Sequence, residues 1–280
     1  MTTLVIRRIG LAGYFGAYFV LGRTMLVLYI HPCPIGNLVR TLFMNRTQNH
    51  TQKTPSPDWF NLHIDSNPSL GSIEVAGGRI AYRHWQRKGS PGLLFVHGHA
   101  AHSRWWDFIA PAFRDDYDVI AIDLSGAGDS AHRDEYSATC FAKEIVTVIQ
   151  AASLQSTTVV GHSFGGTMAR IAAYLYPEDI SGLILVDSAI PVQHGSRTPP
   201  AMPRLKDHSF PTLAEGMRRF RLRPSQPSEN QYIIDYIAAH SLIESPSGFR
   251  FKLDPAVFAK MTSAEEFPSG VEMIRQIDSP

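Results

Sequence analysis

From residue 71 onward the chain alternates between two kinds of hydrophobic pattern. In "SIEVAGGRIAYRHW" apolar and polar positions alternate on both sides of Gly77-Gly78, which predicts an antiparallel hairpin. "GLLFVHGH" and "YDVIAIDLSGAGDS" carry continuous apolar runs instead, the pattern of strands buried on both faces, and they end at His97-Gly98-His99 and at Asp123. Between them, Trp105, Trp106, Ile109 and Phe113 recur at helical spacing and predict a helix over 103–113. Phe141, Ile145, Val148, Ile149 and Ala152 trace the face of another. "TTVVGHS" is a third buried run, followed by a helix over 167–176 that Pro177 stops, and "GLILVDS" is a fourth run ending at Asp187. Such alternation predicts an α/β fold with a mainly parallel sheet flanked by helices. Functional groups collect at the carboxyl ends of strands in these sheets, so chemistry is expected around residues 97–99, 123, 163 and 187.

The first 70 residues follow another pattern. "IGLAGYFGAYFVLGRTMLVLYI", residues 9–30, is long enough for a membrane-spanning helix, with Arg7-Arg8 as its flank. Arg23 opposes that reading at a cost of roughly 2.5 to 3.5 kcal/mol near the middle of a span. A cleaved signal peptide and an organellar presequence compete with the anchor. The expectation is a membrane-associated protein, with secretion or an organelle as alternatives. Residues 31–70, rich in Pro, Thr, Asn and Gln, read as a linker. Cys33 reads as an ordinary thiol, and the acceptor patterns at Asn45 and Asn49 as chance matches.

Composition narrows the function classes. At 280 residues and 44% hydrophobic, the chain can bury one large core. Cys33 and Cys140 are its only cysteines, too few and too far apart for a disulfide framework. The net charge of +1 conceals an imbalance: residues 1–57 carry six basic and no acidic side chains, leaving 20 basic and 25 acidic downstream. A globular part with that excess of acid lacks the basic surface that a nucleic-acid partner requires.

Ser163 stands in "VVGHSFGG", with Gly161 two before it and Gly165 two after, between a strand pattern and a helical one. A serine on a sharp strand-to-helix turn has its hydroxyl exposed, and the flanking glycines relieve crowding around the strained backbone. The helix that follows presents its positive end to a developing anion. Ser163 is therefore the candidate nucleophile, within the motif Gly161, His162, Ser163 and Gly165.

With these residues in view, 71–280 resembles the α/β-hydrolase superfamily, through "FVHGHAAHSRWW", "VIAIDLSGAGDS", "VVGHSFGGTMA" and "LILVDS" in the family's order. The resemblance implies an oxyanion hole from the backbone N–H groups of His99 and Phe164, with His97 and Gly98 in the motif preceding it. His97 is expected to pack beneath the loop, and Asp123 to be structural. The family's order of nucleophile, acid and then histidine makes Asp187 a candidate acid, although more relatives place the acid after the following strand. His97, His99 and His102 lack the carboxylate or further ligand at motif spacing that a metal site needs. A serine at the elbow resembles esterases and lipases and speaks against epoxide hydrolases, which use aspartate there.

Proline-rich "HGSRTPPAMPRLKDHSFP" opens a stretch, 191–258, that resembles a cap inserted over the site, with 259–280 returning towards the core. Tyr232, Tyr236 and His240 would share a helical face there and read as cap packing. "GVEMIRQIDSP" reads as the approach to the next core strand, and Pro280 precedes the position of the family's base histidine. The expectation is a truncated product whose own activity is in doubt, since loss of a triad base costs on the order of a million-fold in turnover. His194, His208 and His240 follow Ser163, but in cap-like contexts. The function implied is carboxylic-ester hydrolysis through an acyl-enzyme on Ser163, with a small-molecule ester or related acyl substrate and no cofactor. A non-catalytic membrane-tethered binding protein and a carbon–carbon bond hydrolase are the alternatives.

Overall fold

The computed structural model describes residues 5–7, 15–21, 24–30, 55–190, 209–222, 225, 228–262 and 265–277. Two compact units divide the chain, Met1–Pro55 and Ser56–Pro280. In the first, strands β1 (Val5–Arg7), β2 (Phe15–Leu21) and β3 (Thr24–Ile30) form an antiparallel sheet, β2 pairing with β3 from Phe15↔Ile30 to Leu21↔Thr24. This corrects the expectation of one transmembrane helix over 9–30. Aromatic and β-branched residues fill the apolar run, and Gly22-Arg23 divides it into two lengths that pair. Among the described residues no helix is long and apolar enough to cross a membrane. Cys33, Asn45, Asn49, His194 and His208 lie outside the described residues.

The second unit begins with helix α1 (Asp58–Ile64), inside the stretch expected to be a linker. Its anchor is Phe60, 2% exposed, which meets Phe108, Tyr232 and Tyr236 at ring separations of 5.8, 4.8 and 5.8 Å. Strands β4 (Ser69–Val75) and β5 (Gly78–Trp85) form the predicted hairpin. The turn falls on Ala76-Gly77, with φ of 47° and 75°, one residue earlier than the glycine pair suggested. Two left-handed residues match the twist of a two-residue hairpin, and Ala76 tolerates the first of these positions.

Four further strands complete the sheet: β6 (Pro91–Val96), β7 (Asp118–Ile122), β8 (Gln155–His162) and β9 (Gly182–Val186). The order is β4-β5-β7-β6-β8-β9, antiparallel at the β4/β5 and β5/β7 pairings and parallel from β7 to β9. Every residue of β7 is buried, as its unbroken apolar run requires. Helix α2 (Ala138–Ala151) buries Phe141, Ile145, Val148 and Ile149, and α3 (Phe164–Leu175) buries Met168, Ala169, Ile171 and Ala172. The two pack against each other beside β8.

Residues 103–113 do not form the single helix their spacing predicted. They make two 3₁₀ turns, Ser103–Trp106 and Ala110–Phe113, because Pro111 enters at the start of the second and cannot donate to a continuing helix. Between β9 and the chain's return lie α4 (Leu213–Arg219), α5 (Gln231–His240) and a small hairpin of β10 (Leu242–Ser245) with β11 (Gly248–Phe251). The approach over 270–276 is helix α6 (Gly270–Gln276), started by a capping box between Ser269 and Glu272 and packed on α3 through buried Met273.

Candidate active site

Ser163 sits where β8 turns into α3, with φ 50° and ψ −115°. That left-handed backbone is costly for a residue with a Cβ and persists only where the surroundings over-determine it. Here the Ser163 N–H donates to the Val186 carbonyl at 2.9 Å, and the Ser163 carbonyl accepts from Thr167 N–H at 3.2 Å and Ser188 Oγ at 2.9 Å. Gly161 pairs with Val96 on one side and Leu185 on the other, holding the approach in the sheet. Gly165 packs so closely on β6 that an added Cβ would strike the His97 carbonyl oxygen and lie 2.8 Å from that of Val96. Ser163 is also the N-cap of α3, yet its side chain makes no cap hydrogen bond. Serines at that position ordinarily spend their oxygen on the first turn. This one leaves its oxygen uncommitted to the cap, beside the first N–H of the helix, that of Phe164, which has no acceptor within the helix.

After β6 the chain turns through Gly98–Ala101, closed by Ala101 N–H to the Gly98 carbonyl at 3.2 Å, with Ala100 at φ 59°. His97 is buried beneath this turn: its Nδ1 donates to the Gly98 carbonyl at 2.8 Å, and its Nε2 accepts from Leu124 N–H at 3.1 Å. Burial lowers its pKa, against the pull of Asp123. Asp123 in turn accepts from Ser103 N–H at 2.6 Å and Asp129 N–H at 2.9 Å, tying the loops after β6 and β7 together. His99 is half-buried and lays its ring against Phe258 at 4.2 Å. His102, fully buried, bonds Ser241 Oγ at 2.9 Å, so the three histidines of this loop serve three separate partners. The His162 ring backs Gly98, where an added Cβ would come within 2.7 Å of its Nδ1.

Asp187 follows β9, whose Val186 pairs with His162, so Asp187 and Ser163 leave the sheet side by side. Asp187 is exposed and left-handed, at φ 46°. Its charge partly offsets the burial that lowers the His162 pKa. His240 is the one described histidine C-terminal to Asp187. Its Nδ1 donates to the Tyr236 carbonyl at 2.8 Å and its ring packs on Tyr236 at 4.2 Å, which commits it to the cap.

A family model of the alpha/beta hydrolase fold matches residues 91–267. The chain belongs to this family. Epoxide hydrolase 4 of Mus musculus is 31% identical over 130 residues, 44% of this chain and 36% of that protein. The serine hydrolase-like protein of Mus musculus is 32% identical over 119 residues, 41% of this chain and 38% of that one. The matches thus span little more than a third of these curated relatives. Among solved structures, a thioesterase domain from the curacin biosynthetic pathway superposes with a TM-score of 0.60 at 27% identity, covering 76% of this chain and 80% of its own. E-2-(acetamidomethylene)succinate hydrolase gives 0.63 at 20% identity, a likeness of fold.

Two buried charge clusters of this alpha/beta hydrolase-fold chain have no sequence signature. Asp107, 1% exposed, accepts from Arg83 Nε at 2.6 Å and Tyr236 Oη at 2.6 Å, joining β5, the first 3₁₀ turn and α5. Burial raises its pKa, and the Arg83 guanidinium opposes that rise. Glu144, fully buried in α2, accepts from Ser125 N–H at 2.9 Å and pairs with Arg133 at 3.0 Å. Burial pushes its carboxyl up as well, against the bonds from Ser125 and the charge of Arg133. The partners are scattered along the chain, and no periodicity marks them.

Proposed function

We propose that this chain is a serine hydrolase acting on a carboxylic ester or related acyl compound through an acyl-enzyme on Ser163. The observation that carries the proposal is the uncapped Ser163 hydroxyl on a strained elbow, at the positive end of α3 and beside Asp187. Oγ attacks the acyl carbon, its proton passes to a histidine, and the carbonyl oxygen becomes an anion between the amides of His99 and Phe164. The departing alcohol takes the proton, and water then releases the acid. Each oxyanion donor in such a site contributes roughly a hundred- to a thousand-fold in rate.

Asp187 orients the histidine in this scheme; the order of the triad puts that histidine C-terminal to it, and His240, the one described histidine there, is bonded to the Tyr236 carbonyl instead. Likeness to a thioesterase domain supports acyl chemistry. The serine itself argues against the epoxide opening named for one relative, which in this fold needs a carboxylate nucleophile. A fluorophosphonate applied to the folded chain is expected to add its mass to the peptide carrying Ser163, and Ser163→Ala to abolish the addition. A folded wild-type sample that stays unmodified sinks the reading and leaves a non-catalytic binding protein.

A further inference from the structure

The side chains of the two residues whose amides would bind the oxyanion, His99 and Phe164, share one neighbour. Phe258, in the 3₁₀ turn Phe258–Lys260, meets the His99 ring at 4.2 Å and the Phe164 ring edge-on at 5.7 Å and 88°. Phe164 continues the chain of rings to Phe141 at 5.3 Å and 90°, and Phe141 stacks on Tyr136 at 5.8 Å. Tyr136 then returns to the turn that bears Phe258. Its N–H donates to the Lys260 carbonyl at 3.0 Å, and its carbonyl accepts from Thr262 N–H at 2.9 Å. Its hydroxyl donates to Asp254 Oδ2 at 2.8 Å. The circuit is closed: Tyr136, Phe141, Phe164, Phe258 and back through the backbone to Tyr136.

The segment carrying Phe258 is held from its other side too. Asp254 N–H donates to the Gly126 carbonyl at 2.8 Å, and Lys260 Nζ reaches both Asp254 Oδ2 and the Arg133 carbonyl at 2.9 Å. Tyr136 and Phe141 are fully buried, whereas Phe258, Phe164 and His99 are half-buried. Rigidity therefore enters from the core, and the half-buried ring of Phe258 carries it to His99 and Phe164. The loop bearing His99 is a tight turn with Ala100 at positive φ, a backbone that persists only where its surroundings hold it.

We infer that Phe258 is a positioning residue, setting the spacing between the His99 loop and the start of α3 and so the geometry of the oxyanion hole. Aromatic pairs at these separations have preferred orientations, so the ring transmits position as well as filling space. An error of about 1 Å in such a site can cost on the order of a hundred-fold in rate. The inference rests on the assignment of Ser163, with the His99 and Phe164 amides as oxyanion donors.

The test compares wild type, Phe258→Ala, Phe258→Leu and Phe258→Tyr in the full chain. Fluorophosphonate modification of Ser163 is resolved into reversible binding and bond formation, and hydrogen–deuterium exchange is read over residues 99–103. In Phe258→Ala the bond-forming rate constant is expected to fall about tenfold, short of the loss of a whole donor, while reversible binding shifts less than about twofold. Exchange over 99–103 is expected to quicken about fivefold. Phe258→Tyr restores both, and Phe258→Leu, which fills the space without a ring, does not. The leucine variant decides the matter if the alanine variant fails to fold. Unchanged bond formation beside wild-type labelling overturns the inference. If folded wild type does not label at all, the Ser163 reading fails by itself, and unchanged exchange over 99–103 then overturns the positioning role independently.

Discussion

A serine left out of its own helix cap is the smallest feature on which the functional reading turns. Ser163 keeps a strained backbone because Gly165 lets α3 close onto β6, within contact of the His97 carbonyl. That neighbour is backbone and cannot swing aside. Gly165→Ala is therefore expected to destabilise the fold by about 1 to 3 kcal/mol, the usual cost of overpacking, as read by urea denaturation. Fluorophosphonate labelling of Ser163 should fall in the same variant. The elbow was legible in the sequence because its glycines and serine fall within five residues between a strand pattern and a helical one, and the candidate oxyanion residues through the family resemblance of the motifs that hold them. The packing of His97 beneath the loop was expected from the family resemblance and is found, whereas the uncapped hydroxyl and the two partners of His97, the Gly98 carbonyl and the Leu124 amide, were not legible, since they depend on how separate loops meet.

At the scale of elements, a buried carboxylate is one of the groups that fasten helix α5 to the core, beside the His102–Ser241 hydrogen bond and the packing of Phe60. Tyr236 reaches Asp107 from α5, while Arg83 reaches it from β5. Removing the phenolic hydroxyl leaves the buried carboxylate short of one donor. Tyr236→Phe is expected to cost about 1.5 to 3 kcal/mol, the range for a hydrogen bond to a charged group. Hydrogen exchange should show the loss first in α5 rather than in β7, because the bond joins the cap to the body. The stripe of Tyr232, Tyr236 and His240 was visible as helical spacing, and its packing partner was not. Phe60 comes from α1, in a stretch whose composition resembles a linker. The two 3₁₀ turns over 103–113 and the β2/β3 pairing teach the same point. Apolar spacing is shared by several backbones, and a proline or a pairing strand chooses among them.

The whole molecule buries several histidines in their neutral form, and its stability should follow. Burial lowers the pKa of His97, His102, His162 and His240 below the ordinary 6.5. On unfolding each regains its ordinary affinity for protons. Their contribution is thus complete above about pH 6.5 to 7 and is lost as the pH falls towards their folded values, by up to about 1.4 kcal/mol per pH unit for each of the two deeply buried ones, His97 and His102, while it stays neutral, and by less for the half-buried His162 and His240. Urea unfolding from pH 7.5 to pH 5 should show this decline, and His102→Gln, which can still donate to Ser241, should flatten it. A pH-independent unfolding free energy across that range would contradict the assignment of these buried neutral imidazoles. What the sequence determined by itself is the alternation of buried strands and helices, the α/β class, and the elbow at Ser163, because each is encoded in neighbouring residues whose spacing matches a backbone period. Only the tertiary structure decided which strand lies beside which, that Asp187 leaves the sheet next to Ser163, and that Phe258 bridges His99 and Phe164. Those juxtapositions join residues distant in the chain, and they follow from packing and hydrogen bonding that no local pattern records.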